Sequence, residues 1–342
     1  MKRTLVAVLI WLVVPFALAA GELRIFNWSE YIPEDVLAEF ERRYDVRIIY
    51  DTFEAPEAMM AKLQAGGARE YDLVVPPDYY VAEMARAGLI QPLDHARLPN
   101  LANLYPEFQD PDYDPGNRYS VPYQWGTTGL AYRSDELPEG VDSWGAFFDP
   151  DAYAGPFLLL DEMRETIGAA LKYLGYSLND TDPAHLEEAK QLLIAAKRRG
   201  LGFAGSVEAR SRLLAGDAVV VHNYSGDIFQ VQEEDEAIVY VIPKEGGTIW
   251  MDAFAIPAGA PNLDNAYAFL NYILEPEVAA AISNYNYYAS PVQAAEPYLD
   301  PELLADPAVY PPPEVRAKLE FIRDVGDALR LYDRIWTEVK AR

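Results

Sequence analysis

The stretch LRIFNWSEYIPEDVLAEFERRYDVRIIY, residues 23–50, decides the fold. Leu23-Arg24-Ile25-Phe26 is an extended opening. Pro33 then stands where a first helical turn favours it, with Glu34 and Asp35 beside the positive end of the helix. Val36, Leu37 and Phe40 share one face of that helix, and Val46 to Tyr50 returns to a strand. Outward from there, Ala58–Leu63 is a helix ended by Gly66-Gly67. Leu73-Val74-Val75 is a short buried strand stopped by Pro76-Pro77, and Tyr80–Ala87 is a helix closed by Gly88. Strands that alternate with helices imply a parallel sheet covered on both faces.

The alternation returns further along. Phe157–Leu160 reads as a strand and Glu165–Leu174 as a helix; Asp182-Pro183 caps a long helix to about Arg199. Val207–Leu214 is a helix closed by Gly216, and Ala218–Val221 and Val239–Ile242 are strands. From Asn265 onward the chain reads as mainly helical: Ala266–Leu274, Val278–Ser283 and Val315–Val339, with Tyr310-Pro311-Pro312-Pro313 as a connector. The expected fold class is α/β with two lobes. Ligands on such sheets sit at the carboxyl ends of strands, and two lobes place a cleft between them.

A length of 342 residues suits two domains. Lys plus Arg is 28 against 54 Asp plus Glu, a formal charge of −26. A chain so acidic does not hold nucleic-acid phosphates by bulk charge; its field attracts cations. With no cysteine there are no disulfides, thiolate metal sites or thiol chemistry. Lys2 and Arg3 precede an apolar run, Leu5–Ala20, that ends in Ala17-Leu18-Ala19-Ala20. A basic start, a short apolar stretch and an A-x-A ending make a secretory signal peptide over residues 1–20, with an uncleaved anchor as the alternative. The expected address is the periplasm.

Several patterns look like chemistry but fail on context. Gly200-Leu201-Gly202-Phe203-Ala204-Gly205 matches G-x-G-x-x-G but follows a helix, and no helix is expected to open on it directly. Asp110, Asp112 and Asp114 start like a calcium loop, yet Pro115 stands where glycine is needed and Val121 where glutamate is needed. His222, Ser225 and Asp227 are near in sequence, which does not make a triad. The three histidines, His95, His185 and His222, lack zinc-ligand spacing. No catalytic residue, metal site or cofactor is expected.

One pattern recurs. Trp28-Ser29-Glu30-Tyr31 follows the first strand and Pro77-Asp78-Tyr79-Tyr80 the third. Asp161, Glu162 and Glu165 follow the strand at Leu160, Tyr224-Ser225-Gly226-Asp227 the strand at Val221, and Trp250-Met251-Asp252 lies between two extended runs. Each residue alone has a plain reading as core, cleft lining or helix cap. Five such recurrences would gather at a cleft mouth, and the set suits an elongated polycation. Carboxylates grip ammonium groups by charge-assisted hydrogen bonds, and aromatic faces wall the methylenes and attract the cation at roughly 0.5–2 kcal/mol per contact.

These segments also resemble a known family. Trp28-Ser29-Glu30-Tyr31, Tyr71–Pro76, Val121–Gly129, Ile242–Gly247, Trp250–Pro257 and the later Tyr310-Pro311-Pro312 to Lys318-Leu319 are similar, in order, to the polyamine-binding periplasmic receptors of ABC importers. The resemblance implies a type II periplasmic binding protein fold, each lobe a mixed sheet flanked by helices. Lobe 1 is expected at 21–126 and 251–298, and lobe 2 at 127–250 and 299–342. It implies Trp28, Tyr31, Trp250 and Tyr288 as aromatic walls, Asp252 as the central acid, and Glu30, Glu165 and Asp227 as further acids. It also implies a monomeric receptor, with an inner-membrane ABC permease as partner. Tyr79 and Glu162 fall at positions that are aromatic and acidic in spermidine receptors. A cleft aromatic is supplied by His222 or Tyr224, with Tyr224 preferred because Tyr224-Ser225-Gly226-Asp227 fits the putrescine-type pattern. Glu30, Tyr79, Glu162 and Trp250 lean to spermidine, and Asp227 and Ile322 to putrescine; spermidine is favoured. The rival readings are a ferric-ion receptor using Tyr79-Tyr80 and Tyr287-Tyr288, and a hydrolase using Glu162 and Glu165 as paired carboxylates.

Overall fold

The computed structural model describes residues 21–153 and 155–342; the proposed signal segment, residues 1–20, lies outside the described residues. The first alternation is as read: β1 (Gly21–Trp28), α1 (Glu34–Tyr44), β2 (Val46–Phe53), α2 (Pro56–Gln64), β3 (Leu73–Val74) and α3 (Asp78–Arg86). Pro33 is the N-cap of α1, and Val36 and Phe40 are its buried side chains. β1 pairs parallel with both β2 and β3, since each connection is a helix that returns the chain to the same end.

The second half follows with β4 (Ser120–Arg133), α4 (Gly145–Phe148), β5 (Phe157–Leu160), α5 (Met163–Tyr173), α6 (Pro183–Arg199), β6 (Phe203–Ala204), α7 (Ser206–Leu214), β7 (Val220–Tyr224), α8 (Ser225–Gln232), β8 (Ile238–Val241) and β9 (Thr248–Ala255). It closes with α9 (Leu263–Ile273), α10 (Pro276–Asn286), α11 (Pro301–Ala305), α12 (Pro313–Arg316) and α13 (Leu329–Ala341). Asp182 caps α6 by accepting the Ala184 N–H at 2.8 Å. β5 pairs parallel with β6 and β7.

Two long antiparallel strands join the halves. The strand order is β2-β1-β3-β9-β4-β7-β5-β6, with β8 also paired to β4. The early part of β4 pairs with β9, while Thr128–Tyr132 pair with β7 and Leu130–Arg133 with β8. The sheet is therefore one ladder carried through the middle by β4 and β9. Gly126 and Trp250 sit opposite each other on that ladder, so two of the expected lobe boundaries fall on one rung. A Cβ at Gly126 would stand 2.7 Å from the Trp250 ring, and only a glycine lets the indole lie across the strand there.

Around the β5–β7 half, Trp144, Phe147, Phe157, Ile167, Leu186 and Leu193 form a core that α13 caps with Tyr332, Ile335 and Val339. Their three- and four-residue spacing puts these side chains on one face, and each apolar side chain buried contributes about 1.5–3 kcal/mol. Around β1–β3, Phe26, Met59, Leu63, Val74 and Met84 form another core. No described helix is long and apolar enough to cross a membrane.

Two sequence expectations are corrected. The continuous helical reading of Val315–Val339 breaks between α12 and α13. There Glu320 bonds along β9, donating its N–H to Gly247 and accepting that of Ile249, and Gly326 takes φ 56°. Pairing with β9 outcompetes the helical propensity of the segment. The glycine run 200–205 was expected to open no helix; in fact Gly205 is the N-cap of α7, which begins at Ser206. The run still starts at the end of α6 and holds the two-residue strand β6 within it, so its glycines do not form the tight turn after a strand that a dinucleotide site needs.

Candidate ligand-binding cleft

Most of the candidate side chains stand at the end of a strand or the start of a helix, while three lie elsewhere. Trp28 ends β1, and Glu30 follows in the turn to α1 with φ 53°. Tyr79 is in the first turn of α3, Glu162 is the N-cap of α5, and Glu165 lies in its first turn. Tyr224 ends β7, Asp227 lies in the first turn of α8, and Trp250 and Asp252 are in β9. Tyr288 follows α10. The structure brings all eleven together around one cleft of about 960 Å³ including its mouth. Parallel strands followed by helices point their carboxyl ends to a common rim, which is why dispersed segments converge.

The cleft is strongly acidic. Glu30, Glu54, Asp161, Glu162, Glu165, Asp227 and Asp252 line it, with no lysine, arginine or histidine among the lining residues. Six aromatics stand between the acids: Trp28, Tyr31, Tyr79, Tyr224, Trp250 and Tyr288. Four form a chain of edge-to-face contacts. Tyr31 meets Tyr288 at 5.5 Å, Tyr288 meets Trp250 at 5.1 Å, and Trp250 meets Tyr224 at 5.9 Å between ring centroids. Such pairs contribute about 0.5–1.5 kcal/mol each beyond burial and hold the walls rigid. Gly226 lets the start of α8 pack closely on the end of α10: a Cβ there would lie 2.6 Å from the Asn286 carbonyl and from the Tyr288 ring.

Asp252 is 7% exposed and accepts a hydrogen bond from the Tyr31 hydroxyl at 2.7 Å. Tyr31 is itself fixed, since its carbonyl accepts from the Tyr123 hydroxyl at 2.6 Å and from Asn286 Nδ2 at 3.2 Å. Burial pushes the Asp252 carboxyl up to about 7, with the Tyr31 bond opposing. Glu165 is raised to about 7 by burial, although its two oxygens accept the hydroxyls of Thr128 at 3.0 Å and Thr248 at 2.6 Å. Glu162 is raised to about 8, by burial first and by the nearby Glu165 charge second. It also caps α5, accepting the Arg164 N–H at 3.3 Å and the Glu165 N–H at 2.6 Å. Beneath the floor, Asp78 is buried and pushed well up by burial, while it accepts the N–H groups of Tyr79 and Met251. Burial thus shifts these carboxyls toward their neutral forms. A cation placed among them would favour their ionised forms.

Several neighbours of the candidate residues carried no signal in the sequence. Glu54 lines the cleft from the end of β2 and accepts the Ser29 hydroxyl at 2.5 Å. Arg210, inside α7, pairs with both Glu30 and Asp227. Its helix reads as an ordinary surface helix, with Arg212 and Glu208 paired one turn apart. His222, the alternative to Tyr224, does not line the cleft. It is buried against Trp144 at 4.9 Å, and burial lowers it to about 3. His222, Ser225 and Asp227 form no relay: His222 Nδ1 faces Thr166 at 3.4 Å and Asp227 faces Arg210 at 3.3 Å.

The bacterial extracellular solute-binding protein family matches residues 35–311. The chain is 37% identical to the spermidine/putrescine-binding periplasmic protein of Salmonella typhimurium, over 93% of this chain and 91% of that one. It is 36% identical to the putrescine/cadaverine-binding protein of Pseudomonas aeruginosa, over the full length of both. A solved spermidine/putrescine ABC transporter chain from Listeria monocytogenes is 38% identical and superposes with a TM-score of 0.88, over 94% of this chain and 99% of that one. The fold is that of type II periplasmic binding proteins, as expected. The family consists of receptors that bind solutes rather than transform them, and this chain belongs to it: it is a bacterial extracellular solute-binding protein.

Proposed function

We propose that this chain captures a polyamine in the periplasm and delivers it to an inner-membrane ABC permease, after export and removal of residues 1–20. The observation that carries the reading is the cleft lining: seven carboxylates and six aromatics, with no basic side chain among them. Two or more ammonium groups on a methylene chain need that composition, acids at intervals and flat apolar walls between them. We assign lobe 1 to residues 21–126 and 251–298 and lobe 2 to 127–250 and 299–342, crossing at the Gly126–Trp250 rung. We take the receptor to act as a monomer. Glu30, Tyr79, Glu162 and Trp250 support the lean to spermidine, and Asp227 and Ile322 support putrescine. The names of the relatives span both amines.

A ferric site would use tyrosines as phenolates. Tyr79 and Tyr288 line the cleft, and their hydroxyls are pushed up by burial first and by neighbouring carboxylates next. Those carboxylates suit a cation that brings its own hydrogen-bond donors. The test is a thermal-shift panel of spermidine, putrescine, cadaverine, a monoamine and ferric citrate. Ligand bound only by the folded state raises stability by RT ln(1 + [L]/Kd). The reading expects a dose-dependent rise with polyamines and none with the monoamine. A rise with iron alone, or with nothing, would reject it.

A further inference from the structure

Arg210 is a cation of the protein itself that, without lining the cleft, pairs with two of the acids that do. It projects from α7 and is 9% exposed. One guanidinium nitrogen donates to the Glu30 carboxylate, and the other donates to Asp227 Oδ1 at 3.3 Å and to Gln230 Oε1. Glu30 comes from the turn after β1, whereas Arg210, Asp227 and Gln230 come from α7 and α8. The planar fork therefore spans the two walls and satisfies an acid on each.

The other lining acids divide accordingly. Asp161 is held by the Lys340 ammonium at 2.6 Å. Glu54, Glu162, Glu165 and Asp252 have no cationic partner among the described ion pairs. Of these, Glu165 already accepts two threonine hydroxyls, and Asp252 one tyrosine hydroxyl. Asp252 is within electrostatic reach of Glu165 on one side and of Tyr288 on the other, and Tyr288 in turn feels Asp227. Of the acids without a partner, Asp252 is in reach of Glu165 and Glu165 of Glu162, whereas Glu54 lies beside Ser29 and within reach of Asp227, at the end where Arg210 stands.

We infer that Arg210 fills, with the protein's own charge, one of the ammonium positions the cleft would otherwise offer, and so sets the number of charges on the ligand. Resting on the polyamine reading, this assigns the cleft to a diamine seated between Asp252 and the Glu162 end. A triamine must first displace the guanidinium from Glu30 or Asp227. Arg210 is then a specificity-determining residue, and it weighs against the sequence lean to spermidine, which took Glu30 as free to grip an ammonium.

The experiment is calorimetric titration of the mature protein with putrescine and with spermidine at one pH, repeated on Arg210→Gln and Arg210→Lys. The native protein is expected to bind putrescine at least as tightly as spermidine. Arg210→Gln is expected to move the ratio of dissociation constants tenfold or more toward spermidine, and Arg210→Lys, which keeps the cation, to stay within threefold of the native ratio. The inference is overturned if the native protein prefers spermidine tenfold or more, or if Arg210→Gln binds both amines with the ratio unmoved. Should Arg210→Gln not fold, the native ratio alone decides. Binding of neither amine by the native protein would instead reject the polyamine reading on which the inference stands.

Discussion

Replacing Asp252 with Asn removes one charge and leaves the shape of the cleft. The carboxylate is 7% exposed, and its Oδ2 holds the Tyr31 hydroxyl at 2.7 Å. An ammonium seated on it would form a charge pair largely shielded from water. Truncating one member of such a pair costs about 2–5 kcal/mol. Asn keeps an acceptor for the ammonium and for Tyr31, which places the loss at the low end, about 2 kcal/mol or some 30-fold in Kd. The unliganded protein should respond in the opposite direction. Burial raises the folded-state carboxyl from 3.8 to about 7, so folding binds a proton that the unfolded chain releases. Stability contributed by this group is therefore full below the unfolded value and falls as pH rises toward the folded one. At pH 8 the native protein carries that penalty, up to about 4 kcal/mol for three pH units, and Asp252→Asn does not. The assay pairs calorimetric titration with thermal melts of the unliganded protein at pH 5 and pH 8. Weaker binding, with a higher Tm at pH 8 and a rise less than half as large at pH 5, where only about one pH unit of the penalty has accrued, is expected. Affinity within threefold of native, or a lower Tm at pH 8, would refute the assignment of Asp252 as the central gripping acid.

Three further outcomes follow from the same geometry. Because Asp252 and Glu165 lie near 7 and Glu162 near 8, a cationic ligand should expel protons. Affinity should then rise between pH 6 and pH 8 by up to about tenfold per unit for each carboxyl that ionises, and the binding heat should vary with the buffer's ionisation enthalpy; a flat profile in every buffer would count against it. Gly226→Ala puts a methyl 2.6 Å from Tyr288 and the Asn286 carbonyl, so it should hold the walls apart. Its dissociation constant should rise at least tenfold with near-native circular dichroism, and native affinity would show that this contact is not part of closure. Trp250→Ala should weaken spermidine more than putrescine, because the longer amine covers more of the ring; equal losses measured by titration would remove Trp250 as a selectivity residue.

The rhythm of strands and helices through residue 88 was legible because each strand there is a short apolar run and each helix carries its own start and stop signals. Convergence was legible for the same reason where a site residue ends or follows a strand or opens a helix, as Trp28, Tyr79, Glu162 and Tyr224 do; Trp250 and Asp252 lie inside β9 and Tyr288 beyond α10. Arg210 was not. Its role depends on α7 and the β1–α1 turn meeting across 180 residues of chain, and its local sequence is that of any exposed helix. Glu165 was read as an ammonium grip; that its two oxygens also accept the hydroxyls of Thr128 and Thr248 is visible only once β4 and β9 are seen side by side. The break between α12 and α13 was hidden because Glu320 bonds to a strand far away in sequence, a tertiary contact that local propensity does not report.

The central claim is that the cleft binds a polyamine. Calorimetric titration of the purified mature protein with putrescine and, separately, spermidine tests it most directly. The account predicts saturable one-to-one binding of at least one of them, with protons released at neutral pH. Heats of simple dilution for both amines would contradict it.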